Sequence, residues 1–365
     1  MNTRPFVFII AATIVAGACG QATPKSEAPT PAAAPAAPAP APIPKVRVFV
    51  TNEASGDLSV IDASTQAVLA TAPLGKRPRG IKASPDGKTL YVALSGSPSA
   101  PPGTDESKLP PPDRSADGIG EVDADTYKVR RVIHAGNDPE QLDVSADGKR
   151  LYVANEDAAQ VSIVDLDSGS IVATVKMGEE PEGVTIRPDG KVVYVTSEDE
   201  GAVYAIDTAT NKVLKKVPVG HRPRSIGFLP DSSRAYVSLE NDGAIAVIDG
   251  RQHRFLRLIK LEGQGNTPKS RPMGIAVHPD GSIVYVTTGS FGSLFFVDPK
   301  TSAATGSMAV GQRPWGVAVL PDGKTAYTAN GPSNDVSVVD LTTKQVSKKV
   351  AVGNRPWGVA IIARQ

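Results

Sequence analysis

Seven short loops in this chain set a charged residue directly before a proline and, in most cases, a charged or aromatic residue directly after it. The residue before is Arg77, Asp138, Glu180, Arg222, Arg271, Arg313 and Arg355; the residue after is Arg79, Glu140, Glu182, Arg224, Met273, Trp315 and Trp357. Arginine presents a planar fork of donors that matches a carboxylate or phosphate. Trp315 and Trp357 are the only two tryptophans, and such rings offer flat faces for stacking or a hydrophobic anchor. Asp138, Glu140, Glu180 and Glu182 are the one acidic cluster in the set, and gathered carboxylates can activate water or hold a metal.

These loops recur on a regular beat. The prolines stand at 78, 139, 181, 223, 272, 314 and 356, spaced 61, 42, 42, 49, 42 and 42 residues apart. A period of this length points to a propeller or a solenoid. Within one period, as in GVTIRP, DGKVVYVTSE, AVYAID and KVLKKVPVG, four short runs alternate apolar and polar residues and are rich in Val, Ile and Tyr. That is the strand signal. Asp-Gly separates the first two runs at 86–87, 147–148, 189–190, 280–281 and 322–323, supplying the positive φ of a tight hairpin. An Asp closes the third run at 62, 123, 165, 207, 249, 298 and 340, and its carboxylate can accept from the next turn's backbone. These aspartates read as structural.

Four antiparallel strands make a propeller blade. Residues 357–365 hold only a first strand and residues 46–78 only the other three, which together make one 42-residue blade. The pattern therefore predicts an all-β, seven-bladed propeller whose ring is closed by a blade from both ends, leaving no open sheet edge. Residues 96–118 exceed the period between the second and third strands of one blade. They read as an inserted surface loop, either functional or disordered.

In a propeller the GxxP loops ring one mouth of the central channel, beside the loops that follow each second strand. The candidate ligand-binding residues are accordingly Arg77, Arg79, Arg222, Arg224, Arg271, Arg313, Trp315, Arg355 and Trp357. Two accounts fit them. In the first, Arg from one blade pairs with Glu53, Glu156, Glu198 or Glu240 beside it, the tryptophans pack between blades, and the ring is simply locked. In the second the mouth binds something, because a purely structural ring should repeat and this one is lopsided.

Other chemistries have no motif here. There is no CxxCH for haem c, no thiol pair, no Gly-x-Ser-x-Gly and no phosphate loop. His134, His221, His253 and His278 lie far apart in different contexts, so no metal and no cofactor is expected. A net charge of +1 with interspersed signs lacks the basic field that nucleic acid demands.

With FVTN at 49–52, YVAN at 152–155 and YVTS at 194–197, and with recurring RPxG, SPDGKxxYVxN, VSVID and VG phrases, residues 46–365 resemble the YVTN family of bacterial β-propeller repeat proteins. GNDPEQ, ANEDAAQVSIVD, GPSNDVSVVD and NRPWGVAI are similar to exported propellers associated with PQQ-dependent catabolism. That resemblance implies an accessory role in an oxidative pathway and carries no catalytic motif. Related propellers include lactonases and the haem d domain of certain nitrite reductases, so fold alone does not choose a function.

Before the propeller stands an uncharged run from Phe6 to Ala18, then Cys19, the only cysteine. At about 13 residues it is shorter than the roughly 20 a spanning helix needs, and it reads as an export signal. Small residues followed by Cys resemble the lipobox of bacterial lipoproteins, with Ala16 where Leu is usual. The expected order is a signal peptide at 1–18, lipidation at Cys19, an Ala/Pro-rich tether at 19–45 and the propeller at 46–365. The expected protein is a monomer on the periplasmic side of a bacterial membrane. It is a non-catalytic binding or scaffolding module for a partner protein or small ligand of the cell envelope; the alternative is a lactonase-like hydrolase working at the same mouth.

Overall fold

A computed structural model describes residues 16–17, 43–99, 108–262 and 270–364. The chain divides into two units, Met1–Pro42 and Ile43–Gln365. Cys19, nearly all of the signal peptide and tether, and residues 100–107 of the insert lie outside the described residues.

The second unit is a ring of seven four-stranded antiparallel sheets. Blade 1 takes its innermost strand, Pro356–Ala363, from the end of the chain and its other three, Val46–Asn52, Asp57–Asp62 and Ala67–Pro73, from the start. Blades 2 to 7 follow in chain order at 81–133, 139–176, 181–218, 223–260, 272–309 and 314–351. The closing register runs Val46↔Ala363, Val48↔Ile361 and Val50↔Val359. Blade 1 thus lacks the first hairpin that the others have, as the nine-residue tail implies.

The hairpins form where the sequence places them. Gly87, Gly148, Gly190, Gly281 and Gly323 have φ between 66° and 75°, and Ser232 takes that place in blade 5 with φ 61°. Each closing Asp accepts from backbone amides two or three residues on, as at Ser64 N to Asp62 (2.8 Å), Thr210 N to Asp207 (2.7 Å) and Thr342 N to Asp340 (2.8 Å).

Each blade has neighbours on both faces, so second and third strands are buried along nearly their whole length while fourth strands alternate or stand exposed. One aromatic ring per second strand fills the space between blades: Phe49, Tyr91, Tyr152, Tyr194, Tyr236, Tyr285 and Tyr327, all buried. These rings are the reason for the first letter of the YVTN phrase.

The inner strands meet almost backbone to backbone. A Cβ on Gly80 would lie 2.7 Å from the Glu140 carbonyl oxygen, one on Gly316 2.6 Å from that of Trp357, and one on Gly358 2.6 Å from that of Arg79. The glycine of RPxG is required by this approach. Hydroxyls on second strands then tie the next blade's loop in place: Thr51 donates to Arg79 O (2.7 Å), Thr196 to Arg224 O (3.0 Å), Ser238 to Met273 O (2.6 Å) and Thr287 to Trp315 O (2.8 Å). So in four of the seven loops the residue after the proline is held by its neighbour's strand.

Deleting residues 357–365 removes this inner strand, with Trp357, Ala360 and Ile362 buried on it. At about 1.5–3 kcal/mol for each large apolar side chain, the loss should exceed about 5 kcal/mol, a large part of a typical domain's stability. Denaturant unfolding is expected to show it, and a midpoint equal to that of the intact chain would refute this closure.

Candidate functional site

All seven residues before the prolines adopt the left-handed conformation without being glycine, with φ from 40° at Arg77 to 55° at Arg222. This costs roughly 1 kcal/mol or more at each position. What it achieves is direction, since every one of these side chains is presented at the same mouth.

The nine residues named from the sequence line one cavity of about 530 Å³. Glu53, Asp138, Glu140, Glu156, Asp157 and Glu180 line it too. So do parts of the insert that sequence reasoning had left undecided, including Ser97, Pro98, Ser99, Pro110 and Arg114. The insert is tied down by Asp117, whose buried carboxylate accepts from Gly96 N (2.7 Å) and Asp138 N (3.0 Å). Arg77 donates to Ser97 O (2.7 Å), and Arg355 to Ser99 Oγ (3.0 Å). A residue pattern rich in Pro gave no sign of these contacts, which are made across the mouth.

Charges at the mouth obey a rule. The residue that follows a blade's second strand meets the residue before the next blade's proline. Glu53 binds Arg77 (3.1 Å), Glu198 binds Arg222 (2.7 Å) and Glu240 binds Arg271 (2.5 Å). Where the second partner is acidic the first is a hydroxyl, Ser95, which donates to Asp138. The rule fails in three places. Glu156 leads to Glu180, a like charge. Gly289 leads to Arg313 and Gly331 to Arg355, with no carboxylate to offer.

Arg79 and Arg224 sit deeper, 3% and 7% exposed. Arg79 is bound by Asp138 and Glu140, with Glu156 at 3.4 Å; Arg224 by Glu182 at 2.7 Å and by Glu198, with Glu240 at 3.6 Å. Their charge is matched inside the ring, so these two arginines act as locks. The locking account is met by them and by Arg77, Arg222 and Arg271.

Arg313 is different. Among the described residues its guanidinium has no hydrogen-bond or carboxylate partner, and it lies 4.9 Å from the Trp315 ring centre. Burial pushes its pKa down, and the like charges of Arg224, Arg271 and Arg355 add to this against the opposing pull of Glu240.

The tryptophans stack on one another, ring centres 5.6 Å apart and planes inclined by 22°. Trp357 is buried and Trp315 half-buried. The Arg224 guanidinium also lies against Trp315, at 5.1 Å. Their faces are therefore largely taken by each other and by guanidiniums, which makes the pair a platform for Arg313 more than a free stacking surface.

On the opposite arc three carboxyls have raised pKa values. Burial pushes Glu156 up to about 7, with Asp138 and Glu198 reinforcing it against the pull of Arg79. Burial, Glu198, Asp199 and Glu156 together push Glu180 up to about 7. Burial pushes Glu182 well above the usual range despite Arg224. Among the described residues no group of three or more His, Cys, Asp or Glu is arranged to hold a metal. His221, His253 and His278 each bind a separate partner, Asp242, the Tyr194 hydroxyl and Asp280.

This geometry defines the chain as a seven-bladed β-propeller with a polar channel mouth. A family model described as "Choice-of-anchor I domain" matches residues 44–225, and one described as "Lactonase, 7-bladed beta-propeller" matches 180–351. Antigen Lp49 of Leptospira interrogans is 30% identical over 112 residues, which span 30% of this chain and only 23% of the antigen. Among solved structures, a candidate 6-phosphogluconolactonase from Bacteroides uniformis superposes with a TM-score of 0.70 at 18% identity, over 87% of this chain and 99% of that one. A second, from Bacteroides fragilis, gives 0.67 at 16%, over 87% and 98%. A dihydro-heme d1 dehydrogenase gives 0.61 at 17%, over 90% and 78%. At such identities the likeness is one of fold.

Two outcomes follow from the charge pattern. Arg224→Met strands Glu182, Glu198 and Glu240 and should cost about 3–5 kcal/mol, whereas Arg313→Gln, which loses only a contact with Trp315, should cost about 1 kcal/mol or less. Equal losses in urea unfolding would refute the distinction.

The second outcome concerns pH. A carboxyl whose folded pKa is raised stabilises the fold fully below its unfolded pKa and loses that contribution as pH rises through about 7. Glu180→Gln should therefore gain on the native protein steadily from about pH 5 to pH 8. A difference in melting temperature that does not change with pH would show that Glu180 ionises freely.

Proposed function

We propose that this protein is an exported, lipid-anchored β-propeller of the YVTN kind, working as a monomeric, non-catalytic binding or scaffolding module. Its channel mouth takes a small ligand or a partner protein of the cell envelope, in service of PQQ-dependent oxidation. The observation that carries this reading is the mouth itself. A cavity of about 530 Å³ is lined by charges matched on most of its rim and unmatched at Arg313. A ring under structural constraint alone would match them everywhere, because an unpaired, partly buried cation is unfavourable. The export signal, lone Cys19 and Ala/Pro-rich tether support the anchored placement.

Cys19→Ser should move the protein from the membrane fraction to the soluble periplasm, and a native protein already soluble with a free thiol would refute the anchor. For the mouth, the informative change is Trp315→Ala, since Trp357→Ala empties a buried site at about 3–5 kcal/mol. Native mass spectrometry of protein purified from envelopes should find a bound species in the native chain and none in Trp315→Ala. Retention of that species by a folded Trp315→Ala protein would rule out the mouth as its site.

A second reading is a lactonase-like hydrolase. It is favoured by Glu156 and Glu180, whose pKa near 7 suits general acid–base work, and by the lactonase model over blades 4 to 7. Hydrolysis of 6-phosphogluconolactone or other lactones, lost in Glu156→Gln and Glu180→Gln, would establish it. No turnover above background would dismiss it.

A further inference from the structure

The failure of the pairing rule at Gly289 has a definite shape. Backbone hydrogen bonds show that this glycine stands where other blades have glutamate. Glu198 N donates to Glu180 O (2.9 Å), Glu240 N to Arg222 O (3.0 Å) and Gly289 N to Arg271 O (2.8 Å), each reaching the residue before its own blade's proline. Glu198 and Glu240 then turn their carboxylates to the next arginine on the rim. At Gly289 the backbone is the same and the carboxylate is missing.

A side chain could begin there without a clash. A Cβ built on Gly289 finds only ordinary contacts, with the nearest atoms, Arg271 O and Arg313 Cγ, both at 3.5 Å. The backbone there is outside the left-handed region, so a side chain at this position meets no conformational strain. The equivalent gap at Gly331 is closed, because the Trp315 indole lies 3.3 Å from the Cβ position. Gly289 is thus the position where a carboxylate group has room, beside the one guanidinium on the described rim that has no carboxylate.

We propose that the gap at Gly289 is a subsite for the carboxylate of a small organic acid, bound by Arg313 in the place that the protein's own glutamate occupies on neighbouring blades. This rests on the reading of the mouth as a binding site and names the ligand's chemistry. The ring has three worked examples of how a carboxylate meets the next rim arginine there, Glu53, Glu198 and Glu240, and the gap is framed by an equivalent backbone hydrogen bond. Arg313 is pre-positioned by Trp315, which stacks on Trp357 and is hydrogen-bonded through its carbonyl to Thr287, so little ordering remains to be done on binding. The like charges of Arg224, Arg271 and Arg355 concentrate positive potential on the gap. Gly289 and Arg313 together line a cavity of about 570 Å³, room enough for a small molecule.

The protein supplies its own reporter, since Trp315 lies against Arg313 and stacks on Trp357, the only other tryptophan. Acetate, succinate and citrate would be titrated at constant ionic strength while tryptophan fluorescence is followed, with inorganic phosphate as the comparison. At least one carboxylate is expected to saturate, and phosphate to bind more weakly. Gly289→Glu should weaken that carboxylate at least tenfold while leaving the melting temperature unchanged or raised, because the built-in group competes for Arg313. Gly289→Ala should bind within about twofold of native, and Arg313→Gln should lose binding. The proposal is overturned if no carboxylate saturates, if phosphate binds and carboxylates do not, or if Gly289→Glu binds as the native protein does. Should a co-purifying species be lost in Trp315→Ala yet kept in both Gly289→Glu and Arg313→Gln, the subsite fails and the mouth reading stands.

Discussion

Seven four-stranded sheets can share an axis only if their innermost strands come into backbone contact, and the mouth of this channel is governed by that crowding. Glycines at 80, 316 and 358 exist because a Cβ would strike the neighbouring carbonyl. With no side chain allowed there, lateral grip falls to the hydroxyls of Thr51, Thr196, Ser238 and Thr287. Four of the residues that follow a proline are consequently fixed in direction by the adjacent blade, and all seven loops converge on the axis.

Convergence of charged side chains in a confined space makes charge matching the second constraint. Desolvation is too costly for an unpaired ion to be tolerated without compensation, and the ring meets this by pairing each rim residue with the next blade's. Where two acids meet, protonation is favoured, as the raised pKa values of Glu156 and Glu180 indicate. Where two arginines lose their glutamates, the result differs between them. Arg355 still finds Glu53 at 3.8 Å and a serine of the insert, while Arg313 has only a tryptophan to rest on. The lopsided composition of the loops is thus the visible form of a balance that closes on one side of the ring and stays open on the other.

Such an arrangement sacrifices stability at the mouth. Seven non-glycine residues are held at positive φ, and buried ion pairs of the Arg224 kind seldom exceed what apolar packing would contribute. Stability must come from the layers between blades, where one buried aromatic per second strand and the surrounding Val, Ile and Leu exclude water. That division separates the scaffold from the chemistry of the rim, and the scaffold is what this chain shares with propellers of 16–18% identity.

The sequence by itself determined the number of blades, the four strands of each, the hairpins at Asp-Gly, the role of the seven closing aspartates and the way the ends close the ring. These follow from a two-residue side-chain alternation and a 42-residue period, both of which are local in the chain. The nine candidate residues were also legible, because equivalent positions in a closed ring must lie on one rim. What each of them does was not. Trp315 and Trp357 were named as stacking faces, and it took the ring's curvature to show that they stack on each other. Arg77 and Arg313 hold the same place in similar phrases, yet one is bound by Glu53 and the other has no carboxylate, since partners are drawn from the neighbouring blade, 24 residues away in the case of Arg77. Burial and charge balance are sums over everything nearby in space, and only the tertiary structure decides what is nearby.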